Sequence, residues 1–368
     1  MSVSSGSSYA DPTFSARIIE WQAAHGRHDM PWQRNRDPYA IWISEIMLQQ
    51  TQVSAVTPYY LRFLDRFPSL AALARGTEDE VLKLWSGLGY YSRARNLYRA
   101  ARQVAQDFGG EFPASRALIE TLPGIGRSTA AAISVFAFGA AEPILDGNVK
   151  RVLARHFAID GFPGERLIEK SMWQLAEALV PAMAIEPYTQ GLMDLGATIC
   201  TRSKPLCTRC PLAATCQARA LDRINTLPAP RPRKSVPMRR TIMLVLRDGE
   251  DTLLEKRPPT GIWGGLWSFP EVVDVEAARA LCRVRFGCEP LALTRLPILR
   301  HGFTHFSLDI EPVVIAVRRT KARVHESGGA MWLSLDEAKR AALPVPAKKI
   351  IALLFTEHAT LLEKLVQD

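Results

Sequence analysis

Cys200, Cys207, Cys210 and Cys216 fall in one short stretch with the spacing C-x6-C-x2-C-x5-C. Thiolates are soft ligands, and four of them so close in sequence can converge on one metal centre. A structural zinc is one reading, because all-cysteine sites with a C-x2-C element are common zinc binders. Zinc ribbons, however, pair two such knuckles across a longer gap. A single loop of unevenly spaced cysteines suits the larger four-iron, four-sulfur cube, whose corners need ligands from different directions. The spacing therefore favours a [4Fe-4S] cluster over zinc. Arg202, Lys204, Arg209 and Arg219 lie in or beside the same loop, so an ordered loop would present positive charge to a phosphate backbone.

Two carboxylates could carry acid–base chemistry. Glu45 stands in Ile41-Trp42-Ile43-Ser44-Glu45-Ile46-Met47-Leu48, a helical stretch so apolar that a buried carboxyl there needs a partner or must keep its proton. A neutral acid at pH 7 can protonate a poor leaving group as its bond breaks. The alternative is an exposed Glu on the polar side of the helix, beside Gln49 and Gln52. Asp146 stands in Ile144-Leu145-Asp146-Gly147-Asn148-Val149, where it could simply cap the helix that begins near Asn148. A capping Asp whose other oxygen faces a cleft could also stabilise developing positive charge.

Two glycine turns could meet a polyanion. Leu122-Pro123-Gly124-Ile125-Gly126 separates a helix ending near Thr121 from one beginning at Arg127 or Ser128. The glycines allow a tight turn, and the amides of the following helix could receive a phosphate without reading bases. An ordinary turn between two helices is the plainer reading. Gly87-Leu88-Gly89-Tyr90-Tyr91 precedes Ser92, a candidate N-cap, and then Arg93, Arg95, Arg99 and Arg102. An exposed aromatic on a basic turn could wedge between stacked bases; a Tyr covering the core beside a solvated Arg face is the competing reading.

The elements that must hold these groups are legible in outline. From Phe14 to about Ala220 the chain reads as helices joined by short turns, with no sustained two-residue alternation. Asp37-Pro38 is an N-cap followed by a first-turn proline, and Thr77 with Glu80 has capping-box spacing. NTLPAPRPRKSVPMRR, residues 225 to 240, has four prolines among Arg and Lys, the composition of a stiff, solvated tether. Beyond it, TIMLVLR, DTLLEKR and FSLDIEPVVIAV read as strands. Helical patterns at Val275 to Phe286 and Ile350 to Val366 complete a small α+β domain.

Composition bounds the possibilities. The chain has 368 residues, 47% apolar and 23% charged, with a net charge of +9, which predicts two or three globular units and favours a polyanionic partner. The Ser/Gly-rich start MSVSSGSSYADP lacks the apolar stretch of a secretory signal. AAAISVFAFGAAEPIL is interrupted by Ser134, Gly139 and Glu142 before reaching the length of a membrane span. Six cysteines in a chain this long are too few for a disulfide scaffold. An intracellular protein that does not enter a membrane is expected.

Together and in this order, Glu45 within SEIMLQQTQV, the hairpin LPGIGRSTA, the segment ILDGNVKRV and the four-cysteine loop resemble the helix-hairpin-helix DNA glycosylases, and specifically the MutY-type adenine DNA glycosylases. The likeness runs from about Trp21 into the C-terminal domain. It implies two helical lobes, one with the hairpin and one with the [4Fe-4S] cluster, flanking a catalytic cleft. It also implies a monomer working with DNA on duplexes in which adenine is mispaired with 8-oxoguanine or guanine. Glu45 would protonate N7 of an extruded adenine, Asp146 would stabilise the sugar cation, and Asn148 would orient the site. Gln190, Arg27 and Trp32 would line the adenine pocket. Gln50 and Tyr90 would intrude into the duplex beside Thr51 and Leu88, while Leu122, Gly124 and Gly126 would meet its backbone. Ser128 occupies the hairpin position where endonuclease III-type enzymes carry a Lys that forms a Schiff base. A serine cannot form that imine, so an intact abasic strand is the expected product.

The organisation expected on this basis is a disordered tail over 1–12, an all-α glycosylase domain over 13–224 including the cluster loop 200–216, a linker over 225–238, and a Nudix-like domain over 239–368. In the last, Phe303-Thr304-His305 matches the family's Phe-Ser-His loop that probes oxidised guanine; a core role for His305 is the alternative. The helix after GGLWSFPE lacks the glutamate cluster that holds magnesium in Nudix hydrolases, so that chemistry is expected to be missing. Competing functions are an endonuclease III-like glycosylase for damaged pyrimidines, a noncatalytic iron–sulfur DNA-binding or redox-sensing protein, and an active Nudix phosphohydrolase.

Overall fold

The computed structural model describes residues 13–232, 237–303, 305–319 and 329–355. The expected tail over 1–12, the centre of the linker, Thr304 and the part of the expected Ile350 to Val366 helix after residue 355 lie outside the described residues. The chain forms two compact units, one of Met1–Arg75 with Asn96–Arg233 and one of Gly76–Arg95 with Lys234–Asp368. The helical domain expected as one piece over 13–224 is thus interrupted, because 76–95 groups with the sheet-bearing unit.

The first unit is helical throughout its described residues. The Pro38–Leu48 helix starts where the sequence signals it: the Asp37 side chain accepts the Tyr39 N–H at 3.0 Å, and Pro38 occupies the first turn. Ile41, Trp42, Ile43 and Met47 are all buried, so this helix is enclosed on nearly every side. It packs against the Arg127–Phe138 helix, whose Ala130, Ala131 and Ala132 allow close approach. That second helix stops at Gly139, in the left-handed region at φ 68°, whose N–H returns to the carbonyls of Ser134 and Val135. The Gly147–His156, Arg166–Ala178 and Ile185–Asp194 helices surround a core of Phe14, Ile18, Val149, Leu153, Met172, Leu175 and Leu192. Each such side chain contributes about 1.5–3 kcal/mol relative to exposure, which is what holds the Asp146 and cysteine-bearing segments in place.

The second unit contains an eight-stranded mixed sheet: β1 (Met238–Asp248), β2 (Asp251–Lys256), β3 (Trp267–Ser268), β4 (Glu271–Val272), β5 (Cys288–Arg295), β6 (Leu299–Gly302), β7 (Ser307–Arg319) and β8 (Ala330–Ser334). Its centre is a long parallel pairing of β1 with β7, from Met238 opposite Ser307 to Arg247 opposite Ala316. β5 and β6 pair antiparallel to β7, and β2 and β4 to β1. The Val275–Val284 helix packs on β5, with Ala278, Cys282 and Phe286 in a core with Leu244, Leu246, Leu253, Val313 and Ile315. That helix has one carboxylate, Glu276.

Also in this unit is the Glu78–Trp85 helix, started by the Thr77–Glu80 capping box. Lys256 Nζ meets both Asp79 oxygens at 2.6 and 2.7 Å. Ser86 Oγ donates to the Leu343 carbonyl at 2.8 Å, and Arg95 donates to the Gly264 carbonyl. These bonds connect residues far apart in sequence, so no local pattern announces them.

Candidate active site

Glu45 projects from the middle of the enclosed Pro38–Leu48 helix into a cavity of about 1460 Å³. Asp146, Asn148, Ser128, Gln190, Arg27, Trp32, Gln50 and Thr51 line the same cavity, all within the first unit. Glu45 therefore does not lie on a solvated helix face. Burial, with the nearby Asp146 charge as a secondary cause, pushes its carboxyl up to about 8, so at pH 7 it is mostly a neutral acid.

Asp146 is the helix cap that the sequence allowed, and it also lines the cavity that Glu45 enters. Its Oδ1 accepts the Val149 N–H at 2.7 Å and caps the Gly147–His156 helix. Its Oδ2 lies 3.3 Å from Asn148 Nδ2. Burial raises the Asp146 carboxyl, while the hydrogen bonds from the Val149 and Asn148 amides, the Arg151 charge and the Asn148 side chain pull the other way. Ser128 Oγ accepts the Leu145 N–H at 3.0 Å. It thereby ties the Arg127–Phe138 helix to the residue just before Asp146.

Trp32 is 7% exposed and packs edge-on to Tyr60 at 5.3 Å between ring centres. Gln190 and Arg27 converge on a residue the sequence reading missed, Asp194, which is fully buried. The signal available was Gln190 and Asp194 four apart on one helix, a spacing that puts two polar side chains together. Arg151 was also passed over, although it lies inside ILDGNVKRV. Its guanidinium donates to Asn148 Oδ1 at 2.8 Å, the Gly196 carbonyl at 2.6 Å and the Cys200 carbonyl at 2.7 Å.

The two turns are formed as expected. Gly124 and Gly126 are exposed. Gly124 has φ 81°, and a Cβ there would stand 2.7 Å from Asn96 Cβ, so only glycine fits. Gly126 caps the Arg127–Phe138 helix and leaves its first amides available. The Leu122 side chain, by contrast, is buried at 2% exposure, claimed by the hydrophobic core. Tyr90 is 49% exposed while Tyr91 is buried, so it is Tyr91, not Tyr90, that covers the core. Leu88 is half-buried. Gln50 and Tyr90 are non-glycine residues at positive φ, 58° and 50°, conformations that carry backbone strain.

In the second unit Phe303 stacks on Phe306 with ring centres 4.4 Å apart and meets His301 and Trp263 at 4.7 and 5.4 Å. His305 is exposed, which removes the core alternative for it.

Cys200, Cys207, Cys210 and Cys216 line one small, largely apolar cavity with Val152, Ile199 and Leu212. None of the four is in a disulfide. No group of three or more His, Cys, Asp or Glu among the described residues is set around a single ion. Arg155, 3% exposed, donates to Cys200 Sγ at 3.4 Å and to the carbonyls of Thr201, Arg202 and Leu227. Four soft donors lining one small cavity, with a cationic donor at one sulfur, are the chemistry that suits an anionic iron–sulfur group.

The sequence profile of the HhH-GPD superfamily base excision DNA repair proteins matches residues 43–178, and that of the NUDIX domain matches 241–353. The adenine DNA glycosylase of Buchnera aphidicola subsp. Acyrthosiphon pisum is 36% identical over 92% of this chain and 96% of its own. The chain belongs to the adenine DNA glycosylase family. The human adenine DNA glycosylase is 33% identical, covering 92% of this chain and 73% of the human one. A solved thermostable thymine-DNA glycosylase matches 57% of the chain at 33% identity with a TM-score of 0.53. The two adenine DNA glycosylases thus align over most of the chain, whereas that thymine enzyme covers little more than half of it.

Proposed function

We propose that this glycosylase hydrolyses the N-glycosidic bond of adenine mispaired with 8-oxoguanine or guanine in duplex DNA, acting as a monomer inside the cell in base-excision repair. The observation that carries the reading is the pairing of Glu45, a carboxyl held neutral near pH 7, with the helix-capping Asp146 in one cavity. An adenine within the stack is out of reach, so the base must be extruded at a cost of a few kcal/mol. Gln50 and Tyr90, both exposed, would intrude into the duplex, with Thr51 and Leu88 contributing each on its own turn. The Gly124–Gly126 turn and the Arg127 helix amides would hold its backbone.

In the cavity, Glu45 gives its proton to N7 as the bond between C1′ and N9 breaks, and both bonding electrons leave with a neutral adenine. The sugar is left as an oxocarbenium ion, which the Asp146 carboxylate stabilises at close range. Water then adds to C1′ and returns a proton to the Glu45 carboxylate, restoring the acid. Asn148 and Ser128 position Asp146, one through its side chain and the other through Leu145. With Ser128 where a Schiff-base lysine would stand, the strand stays intact and borohydride traps no adduct. Phe303, Thr304 and His305 would test the base opposite adenine.

Cys200, Cys207, Cys210 and Cys216 would hold a [4Fe-4S] cluster, which when bound supplies a rigid, positively flanked loop rather than a reacting group. Arg155 would fix Cys200, and Arg151 would connect that loop to Asn148. The test of the central assignment is Glu45→Gln: duplex affinity is retained while adenine release falls by about 10²–10⁴. Release at the native rate by that variant contradicts the acid assignment.

A further inference from the structure

We infer that Asp194 is a positioning residue that fixes the amide of Gln190 with its oxygen toward the cavity, and so makes the pocket select a purine bearing an amino group at C6. The inference rests on the adenine-glycosylase reading and adds to it a determinant of base choice. Asp194 ends the Ile185–Asp194 helix and is fully buried. Its Oδ1 accepts Arg27 Nε at 2.7 Å and Gln190 Nε2 at 2.8 Å, and lies 2.6 Å from Arg27 Nη2. Its Oδ2 accepts the Arg27 N–H at 2.8 Å.

An amide side chain has two faces of opposite hydrogen-bonding sense, and its orientation follows from its partners. A carboxylate paired with a guanidinium is an acceptor only. The Gln190 group beside it must therefore be the NH2, which leaves Oε1 turned away. Gln190 Oε1 has no protein partner among the described residues, yet it is not among the buried polar atoms left unsatisfied. Gln190 lines the cavity with Glu45 and Asp146, so an Oε1 turned away from Asp194 is the face it offers there. A lone acceptor there pairs with a donor on the base. Adenine offers the N6 amino group; a 6-oxo purine sets an oxygen against an oxygen, and a purine with hydrogen at C6 leaves the acceptor unpaired.

The Arg27 pair makes this orientation durable. Turning Gln190 over would set its oxygen against the Asp194 carboxylate, and rotating Asp194 would forfeit the Arg27 main-chain bond. The carboxylate thus acts through Gln190 and touches no base itself.

The test is single-turnover excision from duplexes holding adenine, hypoxanthine or unsubstituted purine at one position opposite guanine. All three bases keep the N7 that Glu45 protonates, so their ratio reports contacts at C6. In Asp194→Ala the Gln190 amide can present either face, and the preference for adenine over hypoxanthine falls by about tenfold or more, the value of one lost or opposed hydrogen bond. Gln190→Leu, which leaves Asp194 paired with Arg27, gives a similar loss of preference. In the double variant the two losses do not add, because both remove one contact. An equal drop for all three bases in Asp194→Ala, with ratios unchanged, overturns the inference and leaves Asp194 a purely structural residue. A Gln190→Leu variant that keeps the native ratio also overturns it. A native protein that releases none of the three overturns the adenine-glycosylase reading itself, a different result from unchanged ratios.

Discussion

Replacing Glu45 with Gln is expected to stabilise the protein at neutral and alkaline pH while disabling it. Gln copies the shape of the neutral acid and keeps one acceptor and a donor, but it cannot ionise. Burial raises the Glu45 carboxyl from 4.5 to about 8, so between those values the folded protein holds a proton that the unfolded chain has released. Stability contributed by the protonated acid is complete below pH 4.5 and is lost as pH rises toward 8, at about 1.4 kcal/mol per pH unit. The raised Asp146 carboxyl acts in the same direction. The penalty carried by Glu45 is thus under about 1 kcal/mol at pH 5 and about 4 kcal/mol at pH 7.5. Urea unfolding of the native and Glu45→Gln proteins at these two pH values measures the difference. A gain for Gln that grows by about 3 kcal/mol between them agrees with the burial. The same gain at both pH values, or a loss at pH 7.5, refutes the claim that the fold holds this carboxyl neutral.

Asp146→Asn keeps a good N-cap, so melting should change little while single-turnover excision falls by about 10²–10³ through loss of the charge; parallel losses of both would mean Asp146 only caps its helix. Gly124→Ala should destabilise by about 1–3 kcal/mol, because φ 81° and the Asn96 contact both oppose a Cβ. Gly126→Ala, with open space around it and an ordinary φ, should cost far less in the same urea series. Cys210→Ala should lower bound iron and leave 200–216 open to proteolysis, read by metal analysis and peptide mapping; full iron content would remove Cys210 from the ligand set.

The local signals survived folding well. Asp37, Thr77 and Asp146 cap the helices they were expected to start, since a cap is a matter of a few neighbouring residues. Glu45 was recognisable because a carboxyl amid Ile, Trp and Met is costly wherever the helix goes. What stayed hidden depends on distant partners. Asp194 gains its meaning from Arg27, 167 residues away, and Arg151 from the Cys200 carbonyl, 49 away. Two-residue strands such as β3 and β4 are too short to show alternation, and nothing in Gly76–Arg95 signals that it groups with the sheet rather than with the helices around it in sequence. Leu122 shows the converse limit: a motif places a residue at a turn without saying which of its atoms reach the surface.

The central claim is that a carboxylic acid at position 45 delivers the proton on which adenine departs. Its most direct test is the pH profile of single-turnover adenine release under saturating enzyme. With Glu45 titrating near 8, the rate should hold from about pH 6 to 7.5 and then fall about tenfold per unit above 8. The residual rate of Glu45→Gln should show no such fall. A native rate that stays level to pH 9.5, or a Gln variant with the same alkaline fall, would contradict the account.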